Sequence, residues 1–352
     1  MNPLEKQRVA ASQTRRLGLG IMGIADMMNQ LGIAYDSDDG VVLMERISKF
    51  IANASYEASA ELSLEKGKSP IFNYEDYSKC PFFNDSLDKV VMDKVKEYGL
   101  RNIAILSIAP TGTISNIVLG FVNGIKHYIG VSSGIEPIFS LYYTRRSESF
   151  GNVFFKVFHS TVQAYIEMFE LSEKVQNVKD NEDITKVLPS YFFRTAHYIE
   201  PSKRVMIQGI AQKYIDHSIS STVNLPEDIE PEVISNIYID AWRNGLKGIT
   251  IYRDGSRYPI LSVEPKKTEF QILKAHNYEY ADKNGNISIL KSDSVIKEDD
   301  GKLTTIYHAL KKGKMNGRIN PILGKVNEIS QHKEKRDEEL SAIGNVCINC
   351  SE

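Results

Sequence analysis

The sequence predicts an α/β fold with parallel strands, and three observations predict it. Residues Asn102 to Ala109, NIAILSIA, are almost continuously apolar, which suits a strand buried on both faces. A second short apolar run, Gly248 to Tyr252, follows a helical pattern and reads as another strand. Around these runs apolar residues recur every three or four positions, so strands alternate with helices as parallel sheets require.

Taken in order, Leu17, Ile21, Ile24, Met28 and Leu31 recur at helical spacing, with Thr14 placed to cap the helix. Gly18, Gly20 and Gly23 match the spacing G-x-G-x-x-G, but no buried strand precedes them. Close helix packing explains these glycines better than a dinucleotide fingerprint. Leu43, Ile47, Phe50, Ile51, Ala54, Ala58 and Leu62 form the stripe of a longer helix that Gly67 stops. Residues 68–95 read as irregular; Cys80 lies there beside Pro81 and is assigned no role. Val153 to Phe169 reads as an apolar helix, and residues 172–187 as a solvated helix end or loop. Ile207, Ile210, Ala211, Tyr214 and Ile215 mark another helical face, which runs into the extended segment SISSTVNLP. Pro231 suits a first helical turn, with Ile234, Ile237, Tyr238, Ala241 and Trp242 on the buried side and Gly245 at the end. Composition shifts near Val263. Residues 264–315 read as a small β-rich module with Asn284-Gly285 as a hairpin turn, and 322–342 as a polar helix. The expected divisions are 1–263, an accessory part 264–342, and a flexible tail 343–352.

Composition bounds the function. The 352 residues are 42% apolar and 25% charged, enough for a substantial core under a polar surface. Lys and Arg total 43 against 45 Asp and Glu, a net charge of −2, so no basic field argues for direct nucleic-acid binding. There is no apolar run of membrane length and no signal-peptide pattern at the start, so the expected location is cytoplasmic. With 3 cysteines a disulfide framework is excluded. Two of them, Cys347 and Cys350, form a C-x-x-C pair at the end of the chain. In a reducing compartment the pair points to redox chemistry or to half of a zinc site; no second such pair exists to complete the zinc, which favours redox.

The strand at 102–109 ends at Pro110, and Thr111, Gly112, Thr113, Ile114 and Ser115 follow. Glycine lets backbone N–H groups approach an anion, and hydroxyls add donors for phosphate oxygens. A phosphate cradle at the carboxyl end of a buried strand is one reading. An ordinary strand-to-helix turn with a Ser or Thr cap is the other. No Lys-Ser/Thr follows the glycine, so this is not a Walker loop.

The segments RRLGLGIMGIADMMNQLGIAYDS, APTGTIS, SSGIEPIFSLYYTRR, IQGIAQKYIDHSISSTVNLP and AWRNGLKGITIYRDGSR, in this order, resemble the carboxyl-terminal half of the ribonucleotide reductase large chain. The wording is closest to the adenosylcobalamin-dependent class. The resemblance covers roughly residues 10–260 and implies part of a ten-stranded α/β barrel. In that family a cysteine thiyl radical removes a hydrogen from the substrate ribose, and two further cysteines supply electrons and form a disulfide. The resemblance implies that Pro110, Thr111, Gly112, Thr113, Ile114 and Ser115 bind the phosphates of a ribonucleotide substrate. A fixed anchor of that kind holds the ribose within reach of the radical. Ser132, Ser133, Gly134, Ile135 and Glu136 resemble a second loop facing the site; Glu136 is assigned no catalytic role and reads equally as a buried, paired carboxylate. Cys347 and Cys350 resemble the terminal dithiol that reduces the spent disulfide and is re-reduced by thioredoxin or a similar donor.

The chain departs from the family in three places. The Asn-x-Cys-x-Glu motif of the catalytic centre does not occur, nor do the two redox cysteines of the barrel. The resemblance therefore implies a partner, an amino-terminal polypeptide that carries these cysteines and with which adenosylcobalamin binds, and a split reductase whose halves work only together. Residues 118–129, VLGFVNGIKHYI, read as an insertion between the two loops. Ile251-Tyr252-Arg253-Asp254 has one tyrosine where the class with a separate radical subunit has two, which favours the cobalamin class. The alternatives are a non-catalytic nucleotide-binding remnant and a fragment of a class I large chain. Strand edges left unpaired by a half barrel predict poor solubility or dimerisation of the chain alone.

Overall fold

The computed structural model of the chain describes residues 3–122, 126–147, 153–176, 184–256, 276–315 and 317–322. These described residues divide into two compact units, one drawn from within 1–226 and 236–263 and the other from within 227–235 and 264–352.

In the first unit, helix α1 (Glu5–Thr14) is followed by α2 (Ile24–Gln30) and the long α3 (Asp38–Lys66). Ser37 caps α3 by accepting the Gly40 N–H, and Gly67 ends it at φ 80°. Three short helices follow, α4 (Tyr74–Tyr77), α5 (Pro81–Ser86) and α6 (Lys89–Tyr98), where the sequence reads as irregular. Helix periodicity is not visible in segments of 4 and 6 residues. Exposed Cys80 sits at the cap position of α5.

Of the helix expected from Thr14 to Leu31 only the second half forms, as α2. Thr14 is the last residue of α1, and residues 17–20 are extended beside the predicted strand. The glycines explain the difference. A Cβ on Gly20 would lie 2.4 Å from the Ser107 carbonyl oxygen, so the close approach is to a strand and not to a helix. Segment 103–108, with Ile105, Leu106 and Ile108 buried, lies between two parallel neighbours, in isolated bridges from Leu106 to Leu19 and from Ile108 to Ile219. The Leu19 N–H donates to Ile105 O at 2.9 Å and the Ser220 N–H to Ile108 O at 2.8 Å. Asp216 completes the ladder, its carboxylate accepting the Ile105 and Leu106 N–H groups at 2.7 and 2.9 Å. The parallel run continues through β5 (Thr222–Leu225) to β6 (Thr250–Arg253). The described residues form no closed barrel.

Beneath this sheet α3 buries Met44, Ala52, Tyr56 and Ala60. The stripe read from the sequence is rotated from that face: Phe50 is 72% exposed. Small residues, Ala52 and Ala60 among them, let neighbouring helices come close and so define the buried side.

Between the two loops lies an antiparallel hairpin, β1 (Leu119–Val122) and β2 (Lys126–Ile129). A second hairpin follows, β3 (Tyr142–Ser147) and β4 (Val153–Phe158), then α7 (Ser160–Met168) and α8 (Ser172–Gln176). The helix expected from Val153 is thus half strand: β-branched and aromatic residues in VFFKVF pair across β3. Helix α9 (Pro201–Lys213) precedes β5, and α10 (Pro231–Arg243) precedes β6. On α10 Ile237 and Ala241 are buried, whereas Tyr238 and Trp242, expected inside, are 52% and 80% exposed.

The second unit holds β7 (Asn277–Ala281), β8 (Ile287–Lys291), β9 (Val295–Lys297), β10 (Leu303–Thr305), α11 (Ile306–Lys311) and β11 (Ile319–Pro321). The sheet order is β11-β7-β8, with β9 and β10 as a separate hairpin. Gly285 turns the β7–β8 hairpin at φ 82°, and Asp282 accepts the Asn284 and Asn286 N–H groups beneath it. The polar helix expected at 322–342, apart from its first residue, and the tail 343–352 lie outside the described residues. No helix among the described residues is long and apolar enough to cross a membrane.

Candidate substrate-anchoring site

Pro110 to Ser115 leave the carboxyl end of the buried segment 103–108, where an α/β sheet offers its ligand crevice. Thr111 takes φ 48°, a left-handed conformation uncommon for a β-branched residue. Two hydrogen bonds hold it there. Its carbonyl accepts the Ser115 N–H at 2.9 Å, and its Oγ1 accepts the Gly134 N–H at 2.8 Å. Gly112, Thr113 and Ile114 are exposed at the tip, and a Cβ on Gly112 would meet nothing within 4 Å. Among the described residues the backbone N–H groups of Gly112 and Thr113 find no acceptor. Ser115 is buried, its Oγ 3.3 Å from that of Ser133.

The structure therefore brings the two predicted loops together, 110–115 against 132–136. The apparent insertion does not part them. The Gly130 N–H donates to Val118 O at 2.8 Å and the Val131 N–H to Ser115 O at 2.9 Å. The hairpin leaves and returns at one point.

Loop 132–136 is anchored along its length. The Gly23 N–H donates to Ser132 O at 2.8 Å, and the Ser132 N–H to Asp26 Oδ2 at 2.6 Å. Tyr35 donates its hydroxyl to Ile135 O. Burial pushes the Tyr35 hydroxyl far above its usual range, a rise that the Arg204 charge partly offsets, so it remains a donor. Glu136 accepts the Thr222 N–H at 2.7 Å and an Nη2 hydrogen of buried Arg204. Glu136 is thus a paired carboxylate. Arg204 also donates to Thr222 O at 2.8 Å, while its Nη1 has no partner among the described residues.

Asp26 is buried, and burial alone would raise its pKa. The His159 hydrogen bond and charge, the Thr161 hydroxyl and the Ser132 N–H outweigh that penalty and hold the carboxyl below the usual carboxylate range. Sequence reading missed Asp26, His159, Tyr35 and Arg204. A signal existed for two of them: Asp26 interrupts the apolar run IMGIADMM, and Arg204 shares a helical face with Ile207, Gln208 and Ala211.

Comparison with known proteins decides what these loops belong to. The family described as "Ribonucleotide reductase, barrel domain" matches residues 1–252. The chain belongs to that family. A vitamin B12-dependent ribonucleoside-diphosphate reductase of Thermoplasma acidophilum is 33% identical over 264 residues, 72% of this chain and 30% of that protein. The enzyme of the same name from Mycobacterium tuberculosis is 31% identical over 261 residues, 72% of this chain and 33% of the relative. The class Id ribonucleotide reductase alpha subunit of Actinobacillus ureae is a similar solved structure, with TM-score 0.48 and 23% identity over 70% of this chain and 40% of that one. The chain spans about a third of the length of the curated relatives it matches. Within the reductase family match lie both loops and every anchoring residue above. Cys347 and Cys350 fall outside the match and outside the described residues.

Proposed function

We propose that this chain is the carboxyl-terminal polypeptide of a split ribonucleotide reductase that reduces ribonucleotides to deoxyribonucleotides by radical chemistry. Pro110, Thr111, Gly112, Thr113, Ile114 and Ser115 grip the substrate's phosphates. The observation that carries the reading is the clip between Gly134 N–H and Thr111 Oγ1, which fixes a strained loop while leaving the Gly112 side open. An anion there gains backbone N–H donors without displacing any internal hydrogen bond. Anchored this way, the ribose stays in place while a partner polypeptide with the Asn-x-Cys-x-Glu motif presents the radical sulfur. Cys347 and Cys350 act as the dithiol that reduces the spent disulfide, exchanging in turn with thioredoxin or a similar donor.

Two relatives are named as vitamin B12-dependent reductases, and the cofactor proposed here is adenosylcobalamin. When bound, it supplies the initiating radical. In this reading the cofactor is held with the partner polypeptide, and no step of this chain's own chemistry runs through it.

The test is reconstitution. The chain is mixed with the amino-terminal polypeptide, adenosylcobalamin, ribonucleoside diphosphate and thioredoxin. Deoxynucleotide should form only in the mixture and should fall at least tenfold with Thr111→Val. A folded mixture with no deoxynucleotide formation overturns the proposal.

A further inference from the structure

The second loop is held by a group that no part of the proposed chemistry uses. Asp26 lies in the first turn of α2, its side chain only 3% exposed. Its Oδ2 accepts the Ser132 N–H at 2.6 Å, and the same peptide segment returns the contact, with Ser132 O accepting the Gly23 N–H at 2.8 Å. That reciprocal pair clips the start of the loop to the start of the helix. Two residues further on, the Gly134 N–H meets Thr111 Oγ1. Rotation about the 132–134 backbone is thus fixed at both ends.

Behind Asp26 stands the beginning of α7. His159 Nε2 lies 2.8 Å from Oδ1, and Thr161 donates its hydroxyl to the same oxygen. Ser160, between them, donates to Gly130 O at 2.7 Å. Tyr128, on the β1–β2 hairpin, accepts from Gln30 at 3.0 Å and donates its hydroxyl to Thr161 Oγ1 at 2.9 Å, the Thr161 hydrogen being committed to Asp26. Three successive residues at one helix start thus divide between Asp26, met by His159 and Thr161, and the segment that leads into the loop, met by Ser160. A buried carboxylate with this many donors is costly to build for packing alone, because an apolar residue of similar size would fill the space without desolvating a charge.

We propose that Asp26, oriented by His159 and Thr161, is a positioning residue for the phosphate loop: through Ser132 it sets the Gly134 N–H that holds Thr111 in its left-handed conformation. Asp26 touches no ligand. It acts on the loop at one remove, and the strain at Thr111 is what it maintains. This inference rests on the phosphate-anchoring reading.

Two measurements on the full chain test it, with inorganic pyrophosphate as the probe. In the first, amide hydrogen exchange at Gly134 is followed by nuclear magnetic resonance. Asp26→Ala should speed it at least tenfold while α3 amides stay protected, and Asp26→Asn, which keeps an acceptor for the Ser132 N–H, should change it less than about threefold. In the second, calorimetry gives pyrophosphate affinity for Asp26→Ala, Thr111→Val and the double variant. Each single change should weaken binding about tenfold, and the double no more than about twofold beyond the weaker single, since both break one linkage. A merely structural Asp26 predicts independent losses that multiply to about a hundredfold. That result, or unchanged Gly134 exchange in Asp26→Ala, overturns the proposal. Should Asp26→Ala not fold, His159→Gln, at a side chain 20% exposed, gives the same pair of readings at about threefold amplitude, and no change in either overturns it equally. If the unaltered chain binds no pyrophosphate, the phosphate reading falls, and Gly134 exchange alone decides whether Asp26 sets the loop.

Discussion

The two loops of the site sit side by side and are built in opposite ways. Loop 132–136 is tied down at nearly every residue: Ser132 to Asp26 and Gly23, Gly134 to Thr111, Ile135 to Tyr35, Glu136 to Arg204 and Thr222. Loop 110–115 is fixed at its two ends and open at its tip, where a Cβ on Gly112 would meet nothing within 4 Å and the Gly112 and Thr113 N–H groups have no acceptor among the described residues. The difference separates a wall from a mouth. A wall must keep its shape whatever binds; a mouth must leave donors uncommitted.

The sharpest way to break this contrast is to unfasten the wall. Glu136→Ala leaves the Arg204 guanidinium buried without its carboxylate, and should cost about 3–5 kcal/mol in a denaturant titration. A loss below about 1 kcal/mol would mean that the wall does not depend on this pair. Gly134→Ala comes next. Its φ of 46° and a Cβ position 3.0 Å from Ala109 O predict a cost of about 1–2 kcal/mol, together with weaker pyrophosphate binding. The smallest stability effect belongs to the mouth. Gly112→Ala should stay within about 0.5 kcal/mol of the unaltered chain, yet raise the pyrophosphate Kd at least threefold, because a methyl group shields the neighbouring N–H groups. Unchanged affinity in that variant would place the anion elsewhere.

The mouth was legible in its own residues; the wall was legible only through the family resemblance, and most of its partners were not. A buried apolar run broken by Pro110 and followed by small hydroxylated residues points to a loop at a strand end, whatever the rest of the chain does. The partners of loop 132–136 come from positions as far away as Asp26 and Thr222, and no local pattern announces a contact across that separation. The helix stripes were found, but their faces were rotated: Phe50 and Trp242 point outward because hydrophobic periodicity ranks residues by polarity, whereas close packing favours small ones such as Ala52 and Ala60. Gly20 shows the same limit. Its spacing suits a helix, and the tightness of its contact with Ser107 belongs to a strand.

The pinched base of the β1–β2 hairpin has a practical consequence. Because Val118 and Gly130 are tied across it, whatever lies beyond the tie is geometrically a side branch, and the path from one loop to the other is as short as if the branch were absent. A reporter or affinity tag spliced into that branch would ride on the molecule without lengthening the route, and the number of residues between the two loops carries no information about how far apart they stand.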